Sequence, residues 1–230
     1  ASDVYKRQTL QNGREIGLAT IAFVNQKKNG QTYSAADIVV EGFEEVDFYF
    51  LERIYQRKHG IPWRVIETER TYLREMTVED VEALYEIYAQ EGMTDFIEPL
   101  CEKREDEIAY TKAYIENMYV YYGYGMWLVC DRENGEIIGR AGLNTQEIED
   151  EIVLEMGYLI RQEYQRQGYA YEVCTAIMDY AKEASGFSEL SCLVEEENHP
   201  SLGLLQKLGF SFRKEVDILG KRMKRYVYAL

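Results

Sequence analysis

Basic residues, histidines and long apolar runs are what this 230-residue chain has least of. Lys and Arg number 26 against 41 Asp and Glu, a formal charge of −15. A chain of that sign lacks the basic field that draws nucleic acid or an anionic membrane, so neither is expected as a partner. A cationic or amine-bearing partner is compatible with it, and so is a plain solubilising surface. The only histidines, His59 and His199, lie far apart, and Cys101, Cys130, Cys174 and Cys192 form no C-x-x-C pair. No metal site is therefore expected, and the thiols read as buried and free in a reducing cytoplasm. No apolar run approaches the roughly 18 residues of a membrane span, and no apolar segment of a signal peptide is visible. Nucleotide loops of the GxGxxG and GxxxxGK[ST] kinds are missing as well.

What is present divides the chain. Hydrophobic residues make up 46%, enough to bury a core in one large or two small domains. Near the N-terminus, residues 18–24 are a strand-like apolar run and residues 25–32 a polar Gly/Asn loop. Residues 38–40 carry a second strand signal, and residues 43–55 a helix with Val46, Tyr49, Phe50 and Ile54 at helical spacing. Residues 57–64, with Gly60 and Pro62, read as a linker.

From Trp63 onward strands and helices alternate. Residues 69–74 are expected as a strand, with Thr77 capping a helix that carries Val81, Leu84, Tyr85 and Tyr88 on one face. Residues 102–122 form a second helical stretch. A hairpin follows, residues 126–130 and 136–144 around the Asn134-Gly135 turn, then an acidic turn at 147–151 and a long apolar strand at 152–160. Residues 170–185 are an amphipathic helix, 188–194 a strand, 200–208 a short helix, and 210–216 and 225–230 the last strands. Hairpins followed by a βαβ unit predict an α/β fold with a mixed, mostly antiparallel central sheet flanked by helices.

Between the apolar strand and the amphipathic helix lies Gln165-Arg166-Gln167-Gly168-Tyr169-Ala170. The first turn of a helix has unpaired N–H groups and a partial positive charge, so it can hold a pyrophosphate. Gly168 removes the Cβ that would keep a ligand off the backbone. This loop is similar to the Q/R-x-x-G-x-G/A signature of the GNAT acetyltransferases, where it grips the pyrophosphate of CoA. The preceding Glu155-Met156-Gly157-Tyr158-Leu159-Ile160 resembles the strand that enters the loop in the ribosomal-protein-type subgroup, with Gln162 where that run has Pro. Asn198-His199-Pro200-Ser201 and Leu204-Leu205-Gln206-Lys207-Leu208-Gly209-Phe210 resemble the subgroup's N-x-x-S-x-x-L-x-x-x-L-G-F segment. The resemblance spans about residues 68–228 and implies acetyl-CoA as co-substrate.

It also implies site residues. Acetyl transfer to an amine needs a neutral amine, a polarised carbonyl and a protonated leaving thiolate. Tyr158, Leu159 and Ile160 match the strand whose main chain holds the pantetheine arm and acetyl group, their side chains being otherwise core. Gln165, Arg166, Gln167, Gly168, Tyr169 and Ala170 match the pyrophosphate loop, and Asn198 a pantetheine contact or a plain helix cap. Leu205 stands where many members carry a proton-donating Tyr; Ser201 matches the hydroxyl proposed for that task in the subgroup, or is a helix N-terminal residue. Glu155, in an apolar strand, is a candidate base or a solvent-facing carboxylate. His199 reads as exposed, and the acidic runs 147–151 and 195–197 as solvated faces that could attract a cationic acceptor. Tyr119, Tyr121, Tyr122, Tyr124 and Trp127 read as core and pocket wall. An acyl-CoA-binding module without turnover is the alternative function. A homodimer through edge strands is compatible with such a fold.

Within residues 9–60, about residues 12–50 resemble the closing segment of a haloacid-dehalogenase-type (HAD) hydrolase, through Gly17-Leu18-Ala19-Thr20-Ile21-Ala22-Phe23 and Ala36-Asp37-Ile38-Val39-Val40-Glu41-Gly42-Phe43, and the rest is linker. Such an enzyme needs an upstream Asp nucleophile and magnesium-site residues that this chain does not contain, so no phosphatase activity is expected. Residues 2–8 are similar to a translated sequencing adapter and are expected to be foreign to the natural protein. The expected division is thus 1–8, 9–60 and 61–230.

Overall fold

The computed structural model describes the backbone of residues 2–24, 36–44 and 46–230, and the side chains of those from Gln8 onward. Two compact units divide at Trp63/Arg64. The first holds helix α1 (Ser2–Glu15), strands β1 (Ile21–Phe23) and β2 (Ile38–Val40), and helix α2 (Phe48–Lys58). The two strands pair in parallel, Ile21 opposite Ile38. Asp37 fastens their start, accepting from the Thr20 amide at 2.8 Å, the Thr20 hydroxyl at 2.7 Å and Lys58 Nζ at 3.1 Å. Burial works against its ionisation, yet these donors hold its carboxyl below the usual range. The helix expected from residue 43 begins at Phe48, because Asp47 caps it, accepting from the Phe50 N–H at 2.8 Å. The expected loop at 25–32 lies outside the described residues. Phe43, Phe48, Tyr49 and Tyr55 of this unit are exposed.

The second unit is built on one eight-stranded sheet. Its strands are β3 (Arg64–Glu67), β4 (Thr71–Arg74), β5 (Met126–Asp131), β6 (Ile137–Ile148), β7 (Glu151–Ile160), β8 (Glu189–Val194), β9 (Ser211–Ile218) and β10 (Lys221–Ala229). They lie in the order β3-β4-β5-β6-β7-β8-β10-β9, and every pairing is antiparallel except β7–β8. The expected mixed, mostly antiparallel sheet with flanking helices is the observed one. Strand β3 is the addition: Arg64, read as the end of the linker, already begins a strand in which Ile66 is buried. The acidic turn is tighter than expected, since β6 and β7 run to Ile148 and from Glu151, leaving only Glu149 and Asp150, both with positive φ, to turn the chain.

Helices cover both faces. On one lie α3 (Val81–Tyr88) and α4 (Arg104–Tyr114), the latter prolonged by a π-helical turn at Ile115–Tyr119 and a last turn, α5 (Val120–Tyr122). Thr77 caps the turn entering α3 as expected, and it does so in a capping box with Asp80. The π turn brings fully buried Tyr119 inward, where its hydroxyl donates to the Met126 carbonyl and accepts from the Met76 N–H. On the other face lies α6 (Tyr169–Ala184), with Tyr180 edge-on to buried Trp127 at 5.2 Å. The short helix α7 (His199–Lys207) follows β8. Leu73, Leu128, Leu143, Leu154, Val173 and Ile177 form the centre of the core.

Candidate functional site

Strand β7 is bonded to β6 along its whole length, but to β8 only through Leu154 opposite Leu190 and Glu155 opposite Ser191. Past that point the strands part, and the Met156 carbonyl reaches only the Cys192 thiol, at 3.3 Å. Main-chain groups alternate sides along a strand. Since Met156 faces β8, so do Tyr158 and Ile160, which places unpaired polar groups along an open edge. Leu159 does not share that role: its carbonyl lies against Gly139 in the β6–β7 ladder. The Ile160 carbonyl is already held by Gln165 Nε2 at 2.8 Å.

The open edge leads into the loop at 165–168. Gln167 Nε2 donates to the Glu163 carbonyl at 2.6 Å, and Arg166 and Gly168 both adopt left-handed backbone, φ 61 and 85. That conformation, at the N-cap of α6, is a requirement for glycine at 168 that the spacing alone did not reveal. The first bond into the helix runs from the Glu172 N–H to the Gly168 carbonyl. The amides of residues 166–171 have no backbone acceptor among the described residues. Arg70, in the β3–β4 turn, braces this loop. Its Nη1 donates to the Gln167 carbonyl at 3.0 Å, its guanidinium lies 4.0 Å from the Tyr169 ring centre, and its Nε donates to Glu172 Oε2 at 2.7 Å. Thr68 and the Arg70 amide bind the other Glu172 oxygen. Burial opposes ionisation of Glu172, but those three donors hold its carboxyl below the usual range. Ala170 packs against the core.

Glu155 stands where β7 and β8 part. Gln146 Nε2 donates to its Oε2 at 2.7 Å, and the Leu193 N–H of β8 also reaches the carboxyl. Burial raises its pKa to about 7, the Leu193 donor only partly opposing the shift. It is therefore not a solvent-facing carboxylate.

On the α6 face, the Asn198 side chain caps α7, its Oδ1 accepting from the Ser201 N–H at 3.2 Å. The Ser201 hydroxyl lies near the Tyr158 phenol without a hydrogen bond between them. That phenol oxygen is buried without a well-formed partner, and burial raises its pKa far above the ordinary value. Leu205 is fully buried, as core. His199 is exposed at the start of α7. In the acidic runs, Glu149, Glu151, Glu195 and Glu196 pair with Lys214, Arg225, Lys221 and Lys224. Four of the seven acids in these two runs are thus ion-paired. Tyr119, Tyr124 and Trp127 are buried, whereas Tyr121 is 80% exposed.

The structure thus brings Tyr158, Ile160, Gln165–Ala170 and Glu155 to one parted edge, with Ser201 beside it. Sequence reading missed Arg70, Glu172, Gln146 and the Tyr158 hydroxyl. Glu172 had one legible signal, as an acid in a helical first turn; the others depend on strand register and on pairing across the chain.

Residues 70–211 match the acetyltransferase (GNAT) domain family. The Bacillus subtilis protein YkkB is 30% identical over 105 residues, which cover 46% of this chain and 61% of YkkB. The B. subtilis N-acetyltransferase YoaA is 29% identical over 64% of this chain and 82% of its own length. Among solved structures, a ribosomal-protein-S5-alanine acetyltransferase from Vibrio fischeri superposes with a TM-score of 0.60 at 15% identity, over 73% of this chain and 96% of that one.

Proposed function

Because this chain belongs to the GNAT acetyltransferase family, we propose that it transfers acetyl from acetyl-CoA to a primary amine, of a small molecule or a protein N-terminus, by direct attack. The observation that carries the reading is the parting of β7 from β8 after Glu155, beside the acceptor-free amides of residues 166–171. Those amides and the α6 dipole suit the pyrophosphate. The β8-side groups of Tyr158 and the Ile160 N–H suit an extended amide-bearing arm, which would take the place of a strand. Leu159, also expected to offer a main-chain contact, lacks a free edge, and Asn198 acts as the cap that sets Ser201.

Glu155, with a pKa near 7, is poised to take a proton from the incoming ammonium, directly or through water. The neutral nitrogen attacks the thioester carbon, the C–S bond breaks, and the Ser201 hydroxyl supplies a proton to the sulfur. Tyr158, beside Ser201, would relay to Ser201 the proton that the nitrogen sheds as the amide forms, so that both hydroxyls end protonated. The structural likeness to the Vibrio fischeri ribosomal-protein-S5-alanine acetyltransferase is in keeping with a protein N-terminus among the acceptors. The free, mostly buried thiols agree with the reducing cytoplasm. For residues 9–60, the three-residue parallel strands and the exposed aromatic side chains support kinship with part of a larger parallel sheet.

Titration calorimetry with acetyl-CoA, followed by thiol release across an amine panel, tests the proposal. Saturable binding and release with an amine are expected. Binding without release from any amine would favour the acyl-CoA-sensing module, and absence of binding would overturn both.

A further inference from the structure

Where β7 and β8 part, side chains take up main-chain groups that a longer ladder would have paired. The Met156 carbonyl meets the Cys192 thiol, and the Leu193 N–H meets the Glu155 carboxyl. Glu155 is therefore held from β8 on one side. From the other side it is held by Gln146 of β6, whose Nε2 donates to Oε2 at 2.7 Å. Strand register explains this contact. Asn144 stands opposite Glu155 and Gln146 opposite Val153, so Gln146 is the diagonal neighbour of Glu155 on the same face, within reach of a long side chain.

The charged groups nearby are committed elsewhere. Ser191, opposite Glu155 on β8, is fully buried and accepts from Arg225 Nε at 3.1 Å. The remaining Arg225 nitrogens donate to Glu151 and Glu189. Cys192, the other titratable neighbour on β8, stays a thiol because burial raises its pKa. Neither a cation nor a second acid contributes to the ionisation of Glu155: burial raises its pKa and Leu193 opposes the rise. Its ionisation is thus left to neutral donors. A primary amide is well suited to that place, because it donates to a carboxylate oxygen without adding charge or exchanging a proton at neutral pH. A cation there would hold the carboxyl ionised and weakly basic, and an acid would compete for its proton.

We propose that Gln146 is the positioning residue of the base: it binds one carboxyl oxygen of Glu155 and so presents the other to the incoming ammonium. The inference rests on the acetyl-transfer reading and deepens it. Glu155 keeps some exposure, and neither of its oxygens is buried without a partner. With Oε2 occupied by an N–H, the proton enters and leaves at Oε1.

The test uses the full chain and two readouts. Carbon-13 signals of the side-chain carboxyls follow the ionisation directly in the protein without acetyl-CoA, Glu155 being identified by its loss in Glu155→Gln. The pH profile of thiol release, with the fastest amine of the panel, follows it in turnover. Gln146→Leu removes the donor and should move the Glu155 midpoint up by about one pH unit in both readouts. Near pH 6 that lowers kcat/KM about tenfold, with a smaller deficit at about pH 9. Gln146→Lys places a cation at the same point and should move the midpoint down by about one pH unit or more. A glutamine that only packed between strands would alter the melting temperature or the overall rate and leave the midpoint in place. A midpoint unmoved in either variant, or moved the same way in both, would overturn the proposal. Should Gln146→Leu fail to fold, Gln146→Lys decides alone, since residue 146 is partly exposed near the end of β6. A wild-type rate profile that does not follow the titration of Glu155 would instead count against Glu155 as the base in the acetyl-transfer reading.

Discussion

Arg70 and Glu172, 102 residues apart in the chain, are joined by a 2.7 Å bond from Nε to Oε2, and the Arg70 amide donates to the same carboxylate. The pair pins the β3–β4 turn to the first turn of α6. It also offsets a negative charge placed next to amides suited to phosphate. Arg70→Ala should weaken acetyl-CoA binding several-fold by calorimetry. Because the Arg70 side chain is 39% exposed, the pair itself should contribute only about 1 kcal/mol to stability. Adding Glu172→Gln should recover part of the lost affinity, because the uncompensated charge goes with it.

Glu155 sets a pH dependence of defined sign. With a pKa near 7, the base form accumulates as pH rises through 7, so kcat/KM at low acceptor concentration should rise through the same range. Glu155→Gln should flatten that limb and lower the rate by about a hundredfold. Stability runs the other way. The folded-state pKa is raised above the ordinary 4.5, so the folded form holds the proton more tightly. Stability is then highest below about 4.5 and falls as pH rises toward 7. The melting temperature of Glu155→Gln relative to wild type should therefore rise across that window.

Ser201→Ala and Tyr158→Phe separate the acid from the binding surface. Each should reduce thiol release, Ser201→Ala by roughly a hundredfold, with CoA affinity retained. Tyr158→Phe removes a buried oxygen that lacks a good partner, so it should cost little stability. Unchanged release in both variants would remove the pair from the mechanism.

Two glycines should respond in opposite directions. A Cβ at Gly142 would lie 2.0 Å from the Gly125 carbonyl oxygen, an overlap with backbone that cannot be rotated away. Gly142→Ala should lose about 1–3 kcal/mol or fail to fold. Gly203, inside α7, meets nothing within 4 Å. Gly203→Ala should gain roughly 0.5–1 kcal/mol in urea unfolding, by reducing the freedom of the unfolded chain.

The readings that came directly from the sequence rested on local signals. Alternating apolar residues located β5 to β10 to within a few residues, and Thr77 with Asp80 marked the entry to α3. Strand β3 was missed because Trp63 to Glu67 is too short to show a period beside Pro62. The start of α2 was misplaced because Asp47 interrupts an apolar run that continues on both sides of it. Within the site, Gly168 and Ala170 were visible through their neighbours in sequence. Gln146 and Arg70 were not: what makes each of them notable is what stands across the strand or across the chain. The nearness of Tyr158 to Ser201 likewise arises only once β7 and the start of α7 are brought together.

The short β7–β8 junction also bears on the mechanics of the molecule. Two register pairs are all that join the strands β3 to β7 to the trio β8, β10 and β9, so the sheet is closer to two panels sharing a seam than to a single plate. A pantetheine arm lodged along that seam would stitch the panels together, and cofactor loading would become a tensioning event as well as the delivery of a reactant. Amide exchange in β8 to β10 should then slow on acetyl-CoA binding, while β4 to β6, already bonded on both sides, should barely register it.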